Sequence, residues 1–319
     1  MADGEKRGLS LSWQALLFAI PALAVYLLND QLLAAFGKSP GAALLIPDEY
    51  GVHMEPGARL EFLAAFLLFV AVATAMIAVF VSTLWSLDFT SRTRFALGAG
   101  ALTLIGVVVL WLCPTPGIAA DIGLPSNCPR SIVRGTLVAG AEGVACSVRA
   151  YTDLLNLMVV WKWVLVTATA AVIFGTVCCL AGAPEQAPRP AKVAALKRQA
   201  RRLHIFLYLA AMLMVSTLLV QHAFVRWPRF AVTQTGPFDA HVNAIILYYG
   251  VGYSIFLASF YLPVVWRLGW RAERVKDEKL RDEILETATS GPAGVAKSAA
   301  AILAPALAGL LSAWIDLSG

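Results

Sequence analysis

Six uninterrupted apolar runs, each close to the ~20 residues needed to cross ~30 Å of hydrocarbon as an α-helix, dominate this chain. They fall at residues 11–28, 60–84, 95–112, 164–180, 205–220 and 244–266. Few folds accommodate such runs. In lipid every backbone N–H and C=O must find a partner inside the protein, so an apolar run of this length becomes a helix. Composition agrees. Hydrophobic residues make up 59% of the 319 and charged residues 14%, with a mean hydropathy of +0.72. A water-soluble surface needs nearer a quarter of its residues charged. The expected fold is an all-α, polytopic integral membrane bundle of about six transmembrane helices.

The charges between the runs give an orientation. Lys6 and Arg7, Arg92 and Arg94, the cluster from Arg189 to Arg202, and the cluster from Arg267 to Arg281 alternate with much poorer connections. Lysine and arginine favour the cytoplasmic side, so both ends of the six-span unit are expected inside, in a plasma (inner) membrane. The same bias explains the pI of about 9.0 and the net charge of +5 without a nucleic-acid ligand. The N-terminal MADGEKRG followed by an apolar run resembles a signal peptide. Asn29, Asp30 and Gln31 follow it with no small-residue cleavage pattern, which favours a retained first span.

Two regions divide the chain. Residues 1–269 read as the transmembrane bundle, with an external cap loop over 113–161 and a basic cytoplasmic loop over 182–203. The cap is proline-rich at first, and its later part, 144–158, reads as a short helix. Residues 270–319 read as a charged cytoplasmic helix, a break at Gly291-Pro292, and a C-terminal amphipathic helix. In that last helix Leu303, Leu307, Leu310, Leu311 and Trp314 form a bulky face. Ala301, Ala304, Ala308, Ser312 and Ala313 form a small one, with Pro305 and Gly309 beside it. It reads as a cytoplasmic or interfacial helix packed on the inner ends of the spans. A seventh span is the alternative, since the charge-free stretch between Lys297 and Asp316 is barely long enough.

Several residues stand out chemically. Gly250, Ser254 and Ala258 lie four apart in the sixth run and make a small face that admits close approach of another helix, within the chain or between subunits. Tyr249 and Tyr253 flank it, so the same surface could line a pore with hydroxyls. Lys162 lies between Trp161 and Trp163 at the outer end of the fourth run. An interfacial anchor is the simpler reading. The sharper one pairs Lys162 with Asp30, Glu61 or Asp153 at a vestibule. Lys197, Arg198, Arg201 and Arg202 can share one helical patch, suited to anionic lipid or to a cytoplasmic polyanion. Among five cysteines, Cys113, Cys128 and Cys146 fall in the cap and allow one disulfide if the outside is oxidising, with the pairing open. Cys178 and Cys179 read as packing residues.

The four histidines are scattered and make no metal-ligand spacing, and no cofactor is implied. There is no P-loop, HExxH, GxSxG or TVGYG-like filter, nor a nucleophile and base that could be paired as an enzyme. No chain of ionisable residues threads the runs, as a coupled pump tends to show. The function expected is therefore a homo-oligomeric channel or gated pore answering a cytoplasmic signal. A transporter or its accessory subunit, and a sensory or structural protein binding a partner through the cap, are the alternatives.

Overall fold

The computed structural model describes residues 49–87, 148–181, 188–226, 235–273 and 291–318, together with Val25 and Gly100. Among these there are five long helices and no strand: α1 (Glu49–Ser86), α2 (Val148–Cys178), α3 (Arg189–Arg226), α4 (Thr235–Glu273) and α5 (Gly291–Ser318). Within α1 to α4, four segments are long and apolar enough to cross a membrane: Leu60–Ser86, Val160–Cys178, Pro190–Arg226 and Asp239–Arg271. They correspond to the second, fourth, fifth and sixth apolar runs. The first and third runs lie outside the described residues except for Val25 and Gly100, so the described helices do not count the spans beyond four.

Helix limits follow local chemistry. α3 starts at a Pro188-Arg189-Pro190 sequence, and the Pro188 carbonyl accepts from the amides of Ala191 (3.0 Å) and Lys192 (3.2 Å). Proline suits this first turn because its missing N–H would have had no helical partner there. The basic segment read as a loop over 182–203 is therefore helical from Arg189. Its Ala, Leu, Lys, Gln and Arg residues are strong helix formers that simply extend the span at its start. Similarly, α2 begins at Val148 and continues without a break into the fourth span. The later part of the expected cap is, from Val148, the first part of that helix, because no glycine or proline interrupts residues 148–174. Inside α4, Pro263 is accommodated without ending the helix.

Packing is built on regular stripes. On α1, Phe62, Phe69 and Met76 recur every seven residues and are fully buried. A seven-residue repeat keeps one face towards a neighbour over many turns. α1 and α3 run antiparallel: Phe62 meets Phe224 at one end (ring centroids 6.0 Å), and Arg202 reaches Ser86 at the other. Phe69 packs on Trp161 of α2 at 6.4 Å. Phe206, Leu207, Leu213 and Met214 of α3, with Phe256, Leu257 and Phe260 of α4, complete the interior. Their outer faces carry exposed leucine, isoleucine, valine and tryptophan, as a helix facing lipid requires.

The α2–α3 contact is tightest at Gly175, where an added Cβ would run into the ring of Phe206. That ring is itself fully buried. Gly175→Ala should lower stability by about 1–3 kcal/mol, as core overpacking does. Thermal unfolding in detergent should record the loss, and a second change, Phe206→Leu, should recover part of it.

Candidate functional site

The small face of α4 is occupied, and its occupant is α5. The Pro305 carbonyl lies so close to Gly250 that a Cβ there would be 2.6 Å from its oxygen. Reciprocally, a Cβ on Gly309 would sit 3.1 Å from the Ile246 carbonyl oxygen and 3.3 Å from Leu247 Cα. Only glycines allow two helix backbones to come this near. Ser254 is buried between them, and its hydroxyl accepts the amide of Ala306 at 3.1 Å, next to Pro305. Further along, the Tyr261 hydroxyl donates to Ser298 Oγ at 3.2 Å. Ala258 is half-buried on the same side.

This placement differs from the position on the inner ends of the spans expected for the last helix. α5 lies lengthwise against the apolar middle of α4, and it turns Ser298, Ala301, Pro305 and Gly309 towards the protein. Those four residues recur at three- and four-residue intervals, complementary to Gly250, Ser254 and Ala258. That complementarity was present in the sequence. It is easily missed because the bulky leucine face gives the stronger pattern. Leu303, Leu307, Leu310 and Leu311 instead point outward, each about half exposed.

The tyrosines beside the small face are packing groups in this structure. Tyr253 is buried, and its hydroxyl accepts from Gln221 Nε2 of α3 at 2.9 Å. Tyr249 is half-buried against Tyr253, with ring centroids 5.8 Å apart. Other polar groups in the spans are turned on their own helices. Thr176 donates to the Val172 carbonyl (2.7 Å), Thr217 to Leu213 (2.8 Å) and Ser216 to Leu213 (2.9 Å). Back-bonding of this kind satisfies a hydroxyl without a partner helix or water. Thr169 departs from it, with a buried Oγ1 that has no hydrogen-bond partner among the described residues.

Basic residues gather near the start of α3. Arg198 and Arg201 are exposed, while Lys197 and Arg202 are half-buried. Arg198 Nε donates to the Ala194 carbonyl of its own helix (3.2 Å), and Arg202 Nη2 to Ser86 Oγ of α1 (3.1 Å). The patch is thus partly structural: Arg202 joins two helices, whereas Arg198 and Arg201 face outward. Nearby, α2 winds down through short-range turns over Cys179, Leu180 and Ala181. The carbonyls of the turn that follows it are taken by neighbours. Arg271 Nη1 of α4 donates to Leu180 O at 2.6 Å, and Gln199 Nε2 of α3 donates to Ala181 O. A cation at a helix C-terminus meets both the free carbonyls and the negative end of the dipole. Cys178 and Cys179 are buried free thiols beside this cap.

Lys162 is half-buried between buried Trp161 and exposed Trp163, and Glu61 is exposed at the start of the α1 span. Asp30 and the cysteines Cys113, Cys128 and Cys146 lie outside the described residues. No group of three or more histidine, cysteine, aspartate or glutamate residues among the described ones could hold a metal ion. No family model matches the chain, and no curated protein or solved structure is similar to it.

Two outcomes follow from these contacts. Ser254→Ala should cost about 1 kcal/mol by leaving the Ala306 amide without its partner, whereas Gly250→Leu should force α4 and α5 apart. Their order in a detergent thermal-stability assay should be wild type, then Ser254→Ala, then Gly250→Leu. Separately, Arg271→Leu should cost about 1.5–3 kcal/mol, the range for hydrogen bonds to a charged group. Hydrogen exchange should then speed up first in the last turns of α2.

Proposed function

We propose that this chain is a multi-pass membrane protein that acts as a gated pore assembled from several copies, with the conducting path between protomers. The observation that carries the reading is the outer face of α1. Ala71, Thr74, Ala75, Ala78 and Ser82 are all exposed and recur at helical spacing. Such a face suits close approach by a helix of a second copy. It takes over the role that the sequence suggested for Gly250, Ser254 and Ala258, which already hold α5.

Three further features support a passive path over a coupled transporter. The described interior is filled mainly by leucine, alanine, valine and phenylalanine. Its span hydroxyls are largely bonded to their own backbones. Charged residues in the four segments keep to the ends: none lies between Glu61 and Ser86, between Lys162 and Cys178, between Arg202 and Arg226, or between Asp239 and Arg267. A pump generally needs an ionisable group near the bilayer centre. In this reading the basic inner ends lie in the cytoplasm of a cell with an inner (plasma) membrane, and exposed Arg198 and Arg201 meet anionic lipid or a polyanionic signal there.

The test is particle mass in nanodiscs combined with ion flux in liposomes. A defined oligomer that conducts, and that falls to monomers in Ala75→Leu/Ala78→Leu while each monomer remains folded, is the expected result. A strict monomer would remove the pore. An oligomer without flux would move the assignment to a sensory or structural protein.

A further inference from the structure

The contacts between α4 and α5 share one antiparallel register. Ser298 meets Tyr261, Pro305 and Ala306 meet Gly250 and Ser254, and Gly309 meets Ile246 and Leu247. Each advance along α5 is matched by a similar retreat along α4. Continuing the register to the ends of the helix sets Gly291 level with Trp266 and Ser318 level with about Asp239. Between those levels, residues 240–266 of α4 contain no charged side chain. α5 therefore accompanies the whole uncharged length of a helix long and apolar enough to span the bilayer. The whole helix of 28 residues rises about 42 Å, and its charge-free stretch from Ser298 to Ile315 rises about 27 Å, close to the ~30 Å of hydrocarbon to be crossed.

We infer that α5 is itself a membrane span, which carries the chain back across the bilayer after the charged segment 274–290. Its end at Ser318 then lies on the opposite side from that segment, on the side of the 227–234 connection. With the basic ends inside, this is the external side.

Two independent features of α5 point the same way. A helix lying flat at an interface needs a charged or polar face towards water. From Ser298 to Ile315 α5 has no charged residue, and the face turned away from the protein is Leu303, Leu307, Leu310 and Leu311. Exposed leucines on the outer side of a bundle belong in lipid. The second feature is Pro305. A proline within a span leaves backbone groups to be satisfied by neighbouring helices, and Ser254 supplies its hydroxyl to the next amide, that of Ala306. Lys297, exposed in the second turn, has the reach to extend its ammonium to the nearer interface.

The inference rests on the membrane reading of α1 to α4 and is independent of the oligomeric one. Its test uses the full chain carrying a short epitope either after Gly319 or after Ser290, probed in right-side-out and in inverted membrane vesicles. The two epitopes should be accessible from opposite sides; access from the same side would overturn the inference. An untagged chain supplies a second measurement that no insertion can disturb. A carbene photolabel dissolved in the lipid tails should mark Leu303, Leu307 and Leu310 as heavily as Ile255 and Leu262 of α4. Marking of α4 without α5 would remove α5 from the membrane. Marking of neither would remove the membrane reading itself.

Discussion

The close approach of two backbones at Gly250 and Pro305 governs how the C-terminal half of this protein is put together. Helix association in lipid lacks the hydrophobic drive that works in water, because lipid tails are as apolar as leucine. Close packing and inter-helix hydrogen bonds must supply it. Here both come at one place: Gly250 and Gly309 remove the side chains that would hold α4 and α5 apart, and Ser254 then lies near enough to bond the Ala306 amide. Remove the glycines and the hydrogen bond is out of reach. α5 would then have only its leucine face, which fits lipid as well as protein.

The remaining polar groups follow a consistent division. Hydroxyls in the middle of the bundle mostly bond to their own helices, as Thr176, Ser216 and Thr217 do. Side chains that reach between helices are longer and concentrate towards the ends: Gln221 to Tyr253, Arg202 to Ser86, Arg271 to Leu180 and Gln199 to Ala181. The ends are thus tied by long side chains, whereas the centre combines close packing with the short hydroxyl bonds of Ser254 and Tyr261.

Much of this was legible from residue order. Long apolar runs mark helices because lipid leaves the backbone no alternative, and four of the six runs correspond to described helices long enough to cross a membrane. The small face on the sixth run was legible too, since Gly250, Ser254 and Ala258 share a helix side by spacing alone. The identity of its partner was not. Small faces on two helices carry no label saying that they belong together, and distance along the chain gives no register. Helix ends were harder still. The start of α2 at Val148 and of α3 at Arg189 lie in polar stretches where hydropathy falls, although helix propensity does not. Arg271 and Gln199 could not have been recognised as caps, because their target is a carbonyl brought near only by the tertiary fold.

The cap at the end of α2 has a mechanical side. Arg271 and Gln199 fasten the carbonyls that follow α2 to α4 and α3, so the end of α2, the start of α3 and the end of α4 are tied together. Towards the opposite ends, the contacts are largely between rings, such as Phe62 with Phe224 and Phe69 with Trp161. The two ends of these helices are therefore fastened differently, one by side chains bonded to carbonyls of a neighbouring segment and the other mainly by packed rings.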